Sequence, residues 1–217
     1  MLKKFATAAC LAAGVVMSSG AAPVSAVTFS GVPSLSGTAF YSTRGYLFSV
    51  TTAGLKATHL GIFDEGADGL ADSHLVGLWK PDGSLLASAT VAAGTSGLLK
   101  DSMRYVDIAD LALDIGSYIV AAVYEEDSAD RQALGGPLTL STATGISFVE
   151  SRYGSCCIPD ILPFPNQTLA GALGSFGGTL MVDSGVDSVP EPGSCALSLA
   201  ALAALALGRH AGIRRRL

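Results

Sequence analysis

The sequence predicts an all-β protein, an antiparallel β-sandwich set between an apolar helix at each end of the chain. Three observations carry this expectation. Short β-rich runs recur at spacings of roughly ten residues with Gly, Pro, Asp and Ser between them, which favours a sandwich or barrel over alternating helix and strand. No stretch between Val27 and Asp183 holds a helical period for long. The long apolar runs lie at the termini, where export signals are read.

Met1-Leu2-Lys3-Lys4 precedes an apolar run from Phe5 to Met17, and small residues then lead to Val24-Ser25-Ala26. A basic start, a short apolar middle and a small-x-small exit are what a secretion signal needs, because the positive end stays inside while the apolar part enters the membrane. Residues 1–26 are therefore expected to be a signal helix, cut after Ala26. Cys10 lies inside the apolar run, too early for a lipoprotein site.

The middle, 27–183, is long enough for one domain with a real core. Strands are expected near Tyr46–Val50, Lys56–Phe63, Leu75–Trp79, Ser84–Val91, Met103–Ile108, Tyr118–Tyr124, Leu138–Ser141, Gly145–Glu150 and Gly178–Val182. Ile108–Asp114 reads as a connection with a possible helical turn. The clearest local signal is Lys80-Pro81-Asp82-Gly83-Ser84 between two apolar runs. Pro81 presets φ, Asp82 can accept from the backbone beyond it, and Gly83 tolerates positive φ, so the chain folds back as a hairpin. Trp79 and Leu85 should then meet near its end, at a corner of the core.

Two acidic runs interrupt the strands. The first, Asp64-Glu65-Gly66-Ala67-Asp68-Gly69-Leu70-Ala71-Asp72-Ser73-His74, places Asp64, Asp68 and Asp72 on a Gly-containing loop. Several carboxylate oxygens on a flexible backbone suit calcium, although the spacing departs from an EF-hand loop. The commoner use of such residues is to shape turns by bonding their own backbone. The second run, Glu125 to Asp130 before Arg131, reads as a solvated loop, with half of a shared site as the sharper alternative.

Catalytic material is sparse. His59 and His74 are the histidines of the middle, and no Gly-x-Ser-x-Gly elbow, zinc-ligand spacing or phosphate-cradling loop occurs. His59, in a strand, is expected to be half-buried or paired across strands. Cys156 and Cys157 are adjacent and do not make a disulfide scaffold. The Pro-rich stretch Arg152–Asn166 is expected to be a long surface loop, packing over an open sandwich end or offering a ligand-facing patch. No enzyme activity and no cofactor are expected, calcium at Asp64, Asp68 and Asp72 being the one candidate.

Charge is unevenly spread. Residues 27–183 hold seven Lys and Arg against sixteen Asp and Glu, a balance near −9, against −5 for the whole chain. Such a domain repels phosphate backbones, so nucleic acid is an unexpected partner.

At the other end, a linker at 184–193 contains Val189-Pro190-Glu191-Pro192, and 194–217 holds an apolar run followed by Arg209, Arg214, Arg215 and Arg216. As a helix the run from Ser194 to Gly208 spans about 23 Å, short of the roughly 30 Å hydrocarbon core. The arginines fix the cytoplasmic side. The Val189-Pro190-Glu191-Pro192 motif, the apolar segment and the Arg cluster together resemble the PEP-CTERM sorting signal of Gram-negative bacteria that make extracellular polysaccharide. That resemblance implies an exosortase as processing partner, cutting near the Pro-Glu-Pro, with transient anchoring in the inner membrane. The stretch from about Phe48 to Tyr124 is similar to a β-sandwich ectodomain found in PEP-CTERM proteins, which implies an Ig-like or jelly-roll fold and no established activity. The expectation is an exported, non-enzymatic surface or extracellular-matrix protein associated with exopolysaccharide or biofilm, with a calcium-dependent carbohydrate-binding module as the alternative.

Overall fold

The computed structural model describes residues 22–37, 40–155, 162–169 and 174–183. The expected signal helix up to Ala21, the Pro-Glu-Pro linker, the C-terminal apolar segment with its arginines, and Cys156 and Cys157 lie outside these residues. The described chain is nearly all strand. Its strands are β1 (Val24–Ser25), β2 (Val27–Ser30), β3 (Leu35–Ser36), β4 (Ser42–Val50), β5 (Leu55–Phe63), β6 (His74–Trp79), β7 (Leu85–Val91) and β8 (Leu98–Lys100). They continue with β9 (Met103–Leu113), β10 (Gly116–Tyr124), β11 (Gln132–Leu134), β12 (Thr139–Thr142), β13 (Ile146–Ser155), β14 (Gln167–Thr168), β15 (Ser175–Phe176) and β16 (Gly178–Asp183). A short 3₁₀ turn spans Glu65–Ala67.

Two antiparallel sheets form a sandwich-like fold. One has the order β1-β16-β5-β9-β8, the other β14-β13-β4-β10-β6-β7, and two small sheets, β15-β11-β3 and β12-β2, complete the described strands. Each of the nine expected strands is present. Their ends differ where a partner strand, invisible in local sequence, prolongs the ladder. Ile108–Asp114 continues β9 to Leu113 instead of turning, because Leu111 and Leu113 pair with Ala57 and Leu55. Arg152–Ser155, expected in a loop, is the end of β13, since these residues pair with Gly45 back to Ser42 and no proline intervenes before Pro159.

The main core gathers Tyr46, Phe48, Leu60, Ile62, Leu78, Tyr118, Val120, Phe176 and Leu180, all essentially inaccessible. Phe176 lies 4.9 Å from Phe29 and 6.0 Å from Tyr46, ring centre to ring centre. The Tyr46 hydroxyl meets Thr179 Oγ1 at 3.1 Å, joining β4 of one sheet to β16 of the other through a buried hydrogen bond.

The expected hairpin forms as β6 and β7. The Gly83 N–H donates to the Lys80 carbonyl at 3.0 Å, Gly83 adopts φ 91°, and the Ser84 N–H donates to Asp82 Oδ1 at 2.9 Å. Trp79 and Leu85 are register partners, but they do not make a corner of the main core. Leu85 is 51 % exposed. Alternation along β6 puts Trp79 on the face opposite Leu78, in a separate cluster with Ile119 and Ala121 that Leu162 and Phe164 cover. Leu162 and Phe164 thus lie over the outer face of the larger sheet, with Phe164 edge-on to Trp79 at 6.2 Å. Gly77 makes room for the indole, since a Cβ there would lie 2.5 Å from Trp79 and 2.7 Å from Leu162. Gly77→Ala is expected to cost at least about 1 kcal/mol through overpacking, read as a lower urea midpoint at unchanged slope.

Candidate functional site

At one end of the sandwich the two acidic runs come together. The chain leaves β5 into Asp64, whose N–H donates to the Ser102 carbonyl at 3.0 Å. Its carboxylate is 1 % exposed and turns inward to Arg104 of β9, itself 3 % exposed. Arg104 Nε and Nη2 donate to Asp64 Oδ2 at 2.8 and 2.6 Å. Arg104 Nη1 donates to the Thr95 and Gly97 carbonyls at 2.9 and 3.1 Å, and Asp64 Oδ1 accepts from the Gly69 N–H at 3.3 Å. One ion pair therefore fastens three backbone segments. Charge-assisted hydrogen bonds of this length are among the stronger ones.

The second run supplies Asp130. Its carboxylate accepts from the N–H groups of Ala71 and Asp72, each at 2.9 Å, and lies 2.8 Å from His74 Nε2. His74 is fully buried, and its Nδ1 lies 2.8 Å from the Val123 carbonyl. A carbonyl only accepts, so Nδ1 carries a proton and the contact with Asp130 needs a second proton on the pair. Burial works to raise the proton affinity of Asp130, but the bonds from His74, Ala71 and Asp72 outweigh it and hold the carboxyl below its usual range. Ser128 Oγ donates to Asp72 Oδ2 at 2.9 Å, and Arg131 grips Glu65 with two bonds at 2.8 and 2.7 Å. Tyr124 packs its ring 5.1 Å from His74, and burial keeps its phenol protonated.

Between the loops lies a cleft of about 300 Å³ lined by Glu65, Asp68, Leu70, Asp130 and Arg131 among others. The sequence placed Asp64, Asp68 and Asp72 as tentative calcium ligands. They do not converge: Asp64 is committed to Arg104, Asp72 to Ser128, and Asp68 is exposed. Among the described residues no group of three or more His, Cys, Asp or Glu side chains is placed to hold a metal ion. Calcium is accordingly expected to raise the melting temperature by less than about 1 °C, since only preferential binding to the folded state raises it. A calcium titration followed by thermal melts checks this.

Sequence reasoning missed Arg104 and the embrace of the two loops. The signal for Arg104 was a lone charge inside the apolar strand Met103-Arg104-Tyr105-Val106. Nothing local marked Asp130 as the partner of residues 71, 72 and 74.

His59 has the half-buried, cross-strand setting expected for it. Its Nε2 lies 2.7 Å from Asp107 Oδ1 on β9, and its Nδ1 2.8 Å from Thr58 Oγ1. A second opening, about 470 Å³, borders this pair, Thr90 and Tyr105. Thr58 is buried, and it is the sequence neighbour of the ring it bonds.

Among the described residues no helix is long and apolar enough to cross a membrane. No family model, curated protein or solved structure matches this chain.

Proposed function

We propose that the chain is an exported, non-enzymatic surface or extracellular-matrix protein, routed by a PEP-CTERM-like tail and displayed against or within exopolysaccharide. The observation that carries this is the arrangement of the two ends: Lys3 and Lys4 ahead of one apolar run, and Val189-Pro190-Glu191-Pro192 ahead of another that closes on Arg209, Arg214, Arg215 and Arg216. The middle is then an Ig-like or jelly-roll sandwich between terminal helices. An exosortase removes the tail during transient residence in the inner membrane. The acidic domain, near −9, is a charged, soluble body for the outside of the cell.

Contacts made by Pro23 and Ser25 favour a cut ahead of them. Lys100 Nζ donates to the Pro23 carbonyl at 2.9 Å, β1 pairs with β16, and Ser25 Oγ donates to Asp101 and accepts from Tyr105. Cleavage after Ala26 would strip these contacts away. A cut ahead of Pro23 keeps them, and Ser19-Gly20-Ala21 offers the small-x-small pattern for it. Mass spectrometry of the exported protein is expected to find a first residue before Val24 and a last residue near Pro192. A chain still ending at Leu217 in healthy source cells would sink the proposal. A first residue at Val27 would overturn only the revised cut.

A further inference from the structure

The sheet edges are unequal. Natural sheets blunt their edges with short strands, charges or bulges, because a free row of N–H and C=O groups pairs with another chain. Edge strands β1 and β14 are two residues long and β8 is three. The stretch of β9 beyond β8 carries Asp107 and Asp110, and its register with β5 is interrupted between Ala57 and His59. Strand β7 is less guarded: it carries no charge, and its one irregularity lies at its start, where the register with β6 shifts between Leu78 and Trp79. It runs seven residues, Leu-Leu-Ala-Ser-Ala-Thr-Val, and among the described residues it pairs with β6 alone. Leu85, Ser88 and Thr90 are exposed along it.

Charge singles out the same edge. A domain near −9 repels its own copies over most of its surface, yet Gly83–Leu99 contains no Asp, Glu, Lys or Arg. Leu98 and Leu99 extend this uncharged surface, 50 % and 42 % exposed. Strand β7 is also suited to itself. In an antiparallel pair centred on Ser88, Ala87 faces Ala89 of the other copy and no like charges oppose each other. The carboxylates across the groove, Asp107 and Asp110, are each paired within their own chain, to His59 and Lys56.

We propose that β7 is a self-association edge, through which two copies of this chain pair antiparallel about a two-fold axis and join their six-stranded sheets into one. This stands independently of the export reading. The test is sedimentation equilibrium of the purified full-length wild type, Ser88→Lys, Ser88→Glu, and an equal mixture of the two variants, with thermal melts confirming that each folds. The expected result is a dimer for the wild type, loss of the dimer in each single variant, and its return in the mixture, where opposite charges face each other. A wild type that stays monomeric at every concentration overturns the proposal. So does a dimer that persists in both variants, which would place association at the apolar ends or another face, or a mixture that fails to re-associate. Amide hydrogen exchange on the wild type reads the same contact without a substitution: protection of Leu85–Val91 is expected to rise with protein concentration, and protection independent of concentration would overturn the assignment.

Discussion

Asp64→Ala is expected to make the domain about 3–5 kcal/mol less stable, the usual cost of removing one partner of a buried ion pair. The cost arises from what remains. Arg104 is 3 % exposed and would keep its charge with only the Thr95 and Gly97 carbonyls to accept from it. In a domain of this size the loss corresponds to a fall in melting temperature of roughly 6–20 °C. The double variant Asp64→Ala with Arg104→Met is expected to recover much of the difference, because the stranded charge is gone. A single variant that melts within a degree or two of the wild type would mean that the pair does not fasten the loop.

Asp130→Asn is expected to cost about 1–3 kcal/mol, since the amide carries donors where Ala71, Asp72 and the buried His74 already present donors, leaving some of these groups unmatched. It also gives a pH signature. Because Asp130 is held below the ordinary carboxyl range, the folded state binds that proton less readily than the unfolded chain. Its contribution is therefore complete above the unfolded value of about 3.9 and disappears as pH falls through the lowered folded value. Melting temperatures measured from neutral pH into acid should drop more steeply for the wild type than for Asp130→Asn, so that the two curves converge at low pH. Parallel curves would contradict the role given to Asp130.

Both predictions concern contacts between segments far apart in the chain, and such contacts are where sequence reading failed. The acidic runs were legible as loops, and Asp82 and Gly83 as a turn, because those roles depend on φ preferences and on hydrogen bonds to near neighbours. The partnership of Asp130 with residues 71, 72 and 74 depends on the return of β10 beside β6. The three aspartates that looked like calcium ligands shared only spacing, and spacing says nothing about which way a carboxylate turns once Arg104 is brought under the loop. Trp79 fails for the same reason. Its apolar character announced burial, but the chain covering it, Leu162 and Phe164, is more than eighty residues away in sequence.

By itself the sequence determined that the middle of this protein is built of short antiparallel strands, where its hairpin turns, that its charge is acidic, and that each end holds an apolar run with basic residues beside it. These follow from side-chain period, turn chemistry and charge, each of which acts over a few residues. Only the tertiary structure decided how far β9 and β13 run, which face Trp79 occupies, that Asp64 answers Arg104, that Pro23–Ala26 belongs to the domain, and that β7 is left as the long uncharged edge. Those outcomes depend on which strand lies beside which. A ladder of hydrogen bonds is completed by a partner that local sequence does not name.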